Sequence, residues 1–191
     1  MENSYTTIKE YAEDSFIERR SEFIGYITPI KTEDEAISFI NKIKEQHRKA
    51  THNCYAYILR DNNTVRYSDD GEPQGTSGAP MVMMMVNAGI TNVCVVVTRY
   101  FGGIKLGTGG LARAYTSSAK LGLEAAGICE VWEQSCLTFS FDYTYLAKLQ
   151  NLMQMENIFD SCNAAILTIR RMQDPTRETR TKIMIEYDYI K

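Results

Sequence analysis

Apolar and polar residues alternate with a period of two over Tyr5 to Tyr11 and again over Phe16 to Ile30, which predicts two strands joined near Glu13-Asp14-Ser15. In the second, Phe23, Gly25 and Ile27 share one face, and Ile24, Tyr26 and Thr28 the other. Arg19 and Arg20 precede that alternation, where they either reach an anion or are simply solvated. Thr32 and Glu35 have the spacing of a capping box, and Ala36, Ile37, Ile40 and Ile43 then recur at helical intervals with Asp34, Lys42 and Lys44 outward. Alternation returns from Thr51 to Leu59, Asp61-Asn62-Asn63 turns the chain, and Thr64 to Ser68 runs back as a hairpin. Met81 to Val86 is apolar on all sides and predicts a buried helix, with Thr76 or Ser77 as N-cap, Pro80 in its first turn and Gly89 ending it.

The most informative stretch follows. Val93 to Val97 is a β-branched apolar run, the pattern of a strand buried on both faces. Gly102-Gly103 and Gly107 with Gly109-Gly110 interrupt the chain, and Leu111, Ala112, Ala114 and Tyr115 begin a helical pattern that runs to Ala126. Strand, glycine-rich loop and helix start in succession make a candidate anion site, because first-turn N–H groups are free there. Arg99, Lys105 and Arg113 lie around it in sequence. The alternative is that the glycines only shape a tight connection.

After Gly127 the pattern changes. Leu137, Phe139 and Phe141 alternate as a strand, Leu146, Leu149, Leu152 and Met153 have helical spacing, and Ala165-Leu167-Ile169 and Ile183-Ile185-Tyr187-Tyr189 are further strands around the Asp174-Pro175 turn. We therefore expect two domains, 1–127 and 128–191. Strand–helix–strand–strand is the first part of a ferredoxin-like fold, whose second helix and last strand are expected to be missing before Lys191.

Composition narrows the options. The 191 residues carry a net charge of −3 and 24% charged side chains, ordinary for a folded protein and unlike a uniformly basic nucleic-acid coat, although a local basic groove remains open. The expected location is cytoplasmic, since no apolar run is long enough to span a bilayer and the N-terminus lacks the form of a signal peptide. The five cysteines are scattered without a CxxC pair, so buried free thiols are expected, with no metal and no cofactor.

Among candidate chemistries, Asp69, Asp70 and Glu72 could hold Mg²⁺ through oxygen ligands. The favoured alternative is that Asp69 or Asp70 bonds local backbone N–H groups or pairs with Arg99 or Arg113. Gly102 to Gly107 has the frame of a P-loop, but Thr108-Gly109 stands where Lys-Ser/Thr is required. Gly107 to Ala112 satisfies GxGxxG/A, yet Phe101 to Leu106 separate it from the strand that it should follow directly in a dinucleotide fold. Any Cys–His or Ser–His pairing must use His47 or His52, of which His52, on a strand beside Asn53 and Cys54, is the better placed.

Several motifs together closely resemble the IMPACT family, in particular its bacterial YigZ-like branch. They are Arg20-Ser21 with Phe23, His52 to Ala56, Ser68 to Pro73 with Gly75-Thr76, and Arg99 to Leu111 with Ala114-Tyr115. The resemblance covers roughly 5–126 and extends into the shorter C-terminal part. It implies an α+β chain: an N-terminal domain similar to the ribosomal-protein fold of elongation factor G domain IV, and a C-terminal ferredoxin-like domain similar to domain V of that factor. Eukaryotic relatives regulate translation initiation through a regulator of the amino-acid-starvation kinase. For the bacterial members nucleic-acid or ribosome binding is the usual inference.

Two functions follow as expectations. The first is a translation-associated binding protein that contacts RNA, the ribosome or a regulatory partner through Arg99, Gly102, Gly103, Lys105, Gly107, Gly109, Gly110 and Arg113. The alternative is an enzyme acting on a phosphorylated small molecule or nucleotide, with a metal on Asp69, Asp70 and Glu72 and with His52 as acid or base.

Overall fold

The computed structural model describes residues 4–132, 138–145, 147, 148, 151, 166–171 and 180–186. The chain is α+β. It divides into two compact units, Tyr5–Glu130 and a second one comprising Met1–Ser4 with Val131–Lys191.

The first unit is built on a five-stranded antiparallel sheet in the order β2-β3-β6-β4-β5, with β2 at Ala12–Glu18, β3 at Ser21–Pro29, β4 at His52–Leu59, β5 at Thr64–Ser68 and β6 at Val93–Tyr100. The apolar run of β6 makes it the middle strand, and its side chains divide between two cores. Val93, Val95 and Val97 join Phe23, Ile27, Cys54, Ala56 and Ile58 on one face. Cys94 and Val96 join Tyr26, Ile30 and Tyr57 on the other. Helix α1 (Glu33–Gln46) covers the second face with Ala36, Ile40 and Ile43, while Ile37 stays exposed. Half of the expected capping box forms: Thr32 Oγ1 accepts from Glu35 N, while the Glu35 carboxylate reaches one residue further back and accepts from Lys31 N instead of Thr32 N.

Helices α2 (Gly78–Asn87) and α3 (Thr108–Ala126) cover the first face. The close approach of α3 to β3 depends on Gly25, where an added Cβ would lie 2.7 Å from the Ser118 carbonyl oxygen. The methionine helix is not buried all round as its apolar sequence predicts. Met81 and Met85 fill the core, but Met83 and Val86 are more than half exposed.

The start of the chain also differs from the alternation reading. Strand β1 is Ser4–Ile8, and β2 runs straight through Glu13-Asp14-Ser15 where a turn was expected. The turn lies at Arg19-Arg20, with φ of 47° and 65°, so that Glu18 faces Ser21 across the hairpin. Both positive φ values are the requirement of the tight primed turns, normally met by Asn-Gly. Arginine gives no such signal in sequence. Strand β1 makes a two-stranded pair with β7 (Ile128–Trp132).

In the second unit, β8 (Thr138–Asp142), β9 (Ile166–Arg171) and β10 (Arg180–Glu186) form an antiparallel sheet in the order β8-β10-β9. Of the helix expected over Leu146 to Met153, most positions lie outside the described residues, as do Cys136 and Cys162. Cys54, Cys94 and Cys129 are free and buried.

Candidate functional site

Strand pairing sets His52 opposite Arg99 and Phe23 opposite Arg99 on the other side, so the end of β6 lies between the two neighbouring strands. Three acidic residues follow the β4–β5 hairpin, and each goes to a different partner. Asp69 caps α2 from outside the helix: Oδ1 accepts from Ser77 N, Ser77 Oγ and Gly78 N, and Oδ2 accepts from Gly75 N. Burial alone would raise its carboxyl, but these four hydrogen bonds outweigh burial and hold it below its ordinary value. Ser77 is the N-cap by position, yet its own side chain makes no capping bond.

Asp70 turns the other way. Its Oδ1 meets Lys44 Nζ at 2.7 Å and its Oδ2 accepts from Asn53 N at 2.7 Å. Its carbonyl accepts from His52 Nδ1 at 2.8 Å, which places the ring proton on that nitrogen.

Glu72 points inward, with a side chain only 3% exposed. Its Oε1 accepts from Arg99 Nη1 at 2.7 Å and from the Tyr115 hydroxyl at 2.8 Å, while Oε2 lies 3.8 Å from His52 Nε2. The pairing expected between Arg99 and Asp69 or Asp70 is therefore made by Glu72, and Asp70 holds a lysine instead. The three carboxylates do not converge as an Mg²⁺ site requires.

Arg99 is 5% exposed, so its charge serves the interior. Its Nη2 donates to Ser21 Oγ at 3.3 Å, and its guanidinium lies 5.5 Å from the Phe23 ring centre and 5.3 Å from that of Phe101. Ser21 Oγ also accepts from Gly102 N at 3.2 Å, and Thr51 Oγ1 accepts from Phe101 N at 3.0 Å. The loop after β6 is thus tied at its first two residues. Gly102 has no room for any side chain, because a Cβ there would fall 1.9 Å from the Arg20 carbonyl oxygen. The interior around this network is inert: burial pushes the Cys54 thiol up to about 12 and drives the Tyr115 hydroxyl up further.

The outer side of the loop carries the free charge. Lys105 and Arg113 are exposed, and neither side chain makes a hydrogen bond or ion pair with another described residue. Arg113 folds back along α3, its Nη1 being 3.6 Å from where a Cβ on Gly109 would stand. Gly107, with φ of 75°, is the N-cap of α3 and offers no side-chain cap, so the first-turn N–H groups at 108–110 face outward. The structure thus separates the expected basic set: Arg99 inside as a support, Lys105 and Arg113 outside. Gly103, Gly107 and Gly109 are exposed beside them.

Sequence reasoning missed Glu72 as the arginine partner, Tyr115 and Ser21 as its companions, and the Arg19-Arg20 turn as part of the same corner. Only the last left a trace, two arginines between alternating stretches. A larger hollow of about 590 Å³ lies between α2 and α3, walled by Met83, Met84, Ile90 and Leu123; its Lys120 and Glu124 pair with each other at 3.7 Å.

The family model described as the Impact N-terminal domain matches residues 19–123, more than half of the chain and all of the corner just described. The chain belongs to the IMPACT family. It is 46% identical over 152 residues to IMPACT family member YvyE of Bacillus subtilis (strain 168), covering 79% of this chain and 70% of that protein. To IMPACT family member YigZ of Escherichia coli (strain K12) it is 31% identical over 152 residues, covering 78% and 72%. A solved structure titled only as a hypothetical protein shares the fold, with a TM-score of 0.66 and 24% identity, over 97% of this chain and 85% of the other. Among the described residues no helix is long and apolar enough to cross a membrane.

Proposed function

We propose that this IMPACT protein is a translation-associated binding protein, and that the glycine-rich corner between β6 and α3 contacts RNA phosphate on the ribosome or a related particle. The observation that carries this reading is the division of labour among the basic residues. A buried Glu72–Arg99–Ser21 network fixes the loop, while Lys105 and Arg113 stand exposed and unpaired among the described residues. Contacts of this type position a backbone without reading sequence. Phe101 adds to it: the ring is 47% exposed and backed by the Arg99 guanidinium, a platform on which an unstacked base could lie. The alternative of a metal-dependent enzyme has its three carboxylates committed to separate partners.

The same reading extends to the architecture. The β8-β10-β9 order supports a ferredoxin-like C-terminal domain in 128–191, and the helices on both faces of an antiparallel sheet are consistent with an N-terminal domain in 1–127 similar to elongation factor G domain IV.

The test is co-sedimentation with ribosomal particles at moderate salt. The double variant Lys105→Ala/Arg113→Ala should be depleted from the pellet relative to the wild type while melting within about 2 °C of it, since neither residue touches the core. Equal pelleting by an equally folded variant would reject the reading.

A further inference from the structure

A second hollow, of about 160 Å³, opens beside this corner between the β2–β3 turn and α3. Phe16 and Leu106 line it with apolar surface, and Glu18, Arg19, Arg113 and Ser117 with polar groups. We propose that it is a phosphate pocket in which Arg19, Arg113 and the Ser117 hydroxyl grip one phosphate group. The proposal rests on the phosphate-contacting role given above and deepens it by naming the residues that would hold the group.

Four observations support it. Gly110, Arg113, Ala114 and Ser117 are spaced three and four apart on α3, so that they share one face, and all four line the hollow. At Gly110 a Cβ would stand 3.0 Å from Leu106 Cβ, so a side chain there would crowd Leu106 where the hollow now lies open. The volume equals about five waters at ~30 Å³ each, room for a phosphate with a partial hydration shell. Finally, the side chains of Arg113 and Ser117 make no hydrogen bond or ion pair with another described residue, and the Arg19 side chain has only Glu18 among them, at 4.0 Å and exposed. Exposed pairs of that kind contribute little, so Arg19 can exchange the carboxylate for a phosphate group. Two guanidinium groups against one carboxylate leave the hollow positive.

Arg19 belongs to the same picture. Its φ of 47° and the 65° of Arg20 are conformations that Asn or Gly adopts more easily. A local rule broken on the rim of a basic hollow is where strain is retained for binding. The Gly102 backbone, packed on the Arg20 carbonyl, holds that turn against the glycine loop.

The experiment is a titration of the ¹⁵N-labelled full chain with inorganic phosphate, with chloride at matched ionic strength as the control. Saturable shifts are expected at the amides of Arg19, Gly110, Arg113 and Ser117, and chloride should not reproduce them. Arg19→Asn, which keeps a residue suited to positive φ, and Ser117→Ala should each weaken phosphate at least threefold, and Arg113→Gln at least tenfold. Non-saturating shifts, or equal affinity in folded variants, would overturn the pocket. A short single-stranded RNA with and without a 5′-phosphate then separates the sources. Competition by both RNAs identifies a backbone phosphate, and competition by the phosphorylated one alone identifies a terminal phosphate. If phosphate saturates the pocket and neither RNA competes, the pocket stands for a free phosphorylated compound and the RNA reading falls. If RNA binds equally well to wild type and Arg19→Asn while phosphate shifts nothing, the RNA reading stands and the pocket falls.

Discussion

Glu72 places one carboxylate among a guanidinium, a phenol and an imidazole, with almost no solvent to replace any of them. Glu72→Ala leaves Arg99 charged and buried and should cost about 3–5 kcal/mol in urea unfolding. Lys44→Ala removes a partly exposed partner of Asp70 and should cost no more than about 1 kcal/mol. A similar cost for the two would mean that the buried network does not hold the corner. Asp69 gives a pH dependence of determined sign. Its folded value lies below the ordinary 3.8, so its contribution is complete above that value and is lost as the pH falls through the lower folded one. Asp69→Asn should lose about 1–2 kcal/mol at neutral pH, as for loss of a helix cap, and the gap from wild type should close in acid. A gap independent of pH would assign the effect to shape alone. Ser118 points the other way, since its buried hydroxyl has no hydrogen-bond partner among the described residues. Ser118→Ala should be neutral or stabilising by up to about 1 kcal/mol, read from the same unfolding curves.

Elements were legible wherever one local rule decided them. The Thr32–Glu35 box, the Val93–Val97 run and the helix ending at Ala126 each announce themselves within a few residues. Those that depend on distant partners were not. The cap of α2 comes from Asp69, eight residues before Ser77, and no spacing rule points to it. The turn at Arg19-Arg20 was hidden because its residue types contradict its geometry, which moved the predicted break to Glu13-Asp14-Ser15. Apolar sequence overstated the burial of α2, because composition does not say which face a neighbour covers. In the site, the glycine loop and its exposed cations could be read from spacing, whereas the inward turn of Arg99 depends on Glu72, Ser21 and Tyr115, which only the folded sheet brings together. The packing of α3 gives a test at this scale. Gly25→Ala drives a Cβ against the Ser118 backbone carbonyl, so it should cost about 1–3 kcal/mol. Ser118→Gly should fail to rescue it, because the nearest atom is backbone. Rescue by that second change would show that the hydroxyl, not the carbonyl, sets the spacing.

At the scale of the whole molecule, a net charge of −3 coexists with a basic corner, so binding should depend on that local field rather than on bulk charge. The division into units predicts that the first unit, Tyr5–Glu130, folds alone. A fragment of residues 1–132 should melt cooperatively, and a fragment of 1–127 should be less stable because it lacks β7 and leaves β1 without its partner strand. An unfolded 1–132 would show that the units share their stability. The most direct measurement is the salt dependence of binding to a single-stranded RNA, compared between the wild type and Lys105→Ala/Arg113→Ala. Each phosphate neutralised contributes about 0.7 to the log–log slope for single strands. The double variant should therefore bind more weakly, with a slope lower by about 1.4, and keep its melting temperature. An unchanged slope and affinity in a folded double variant would contradict the account.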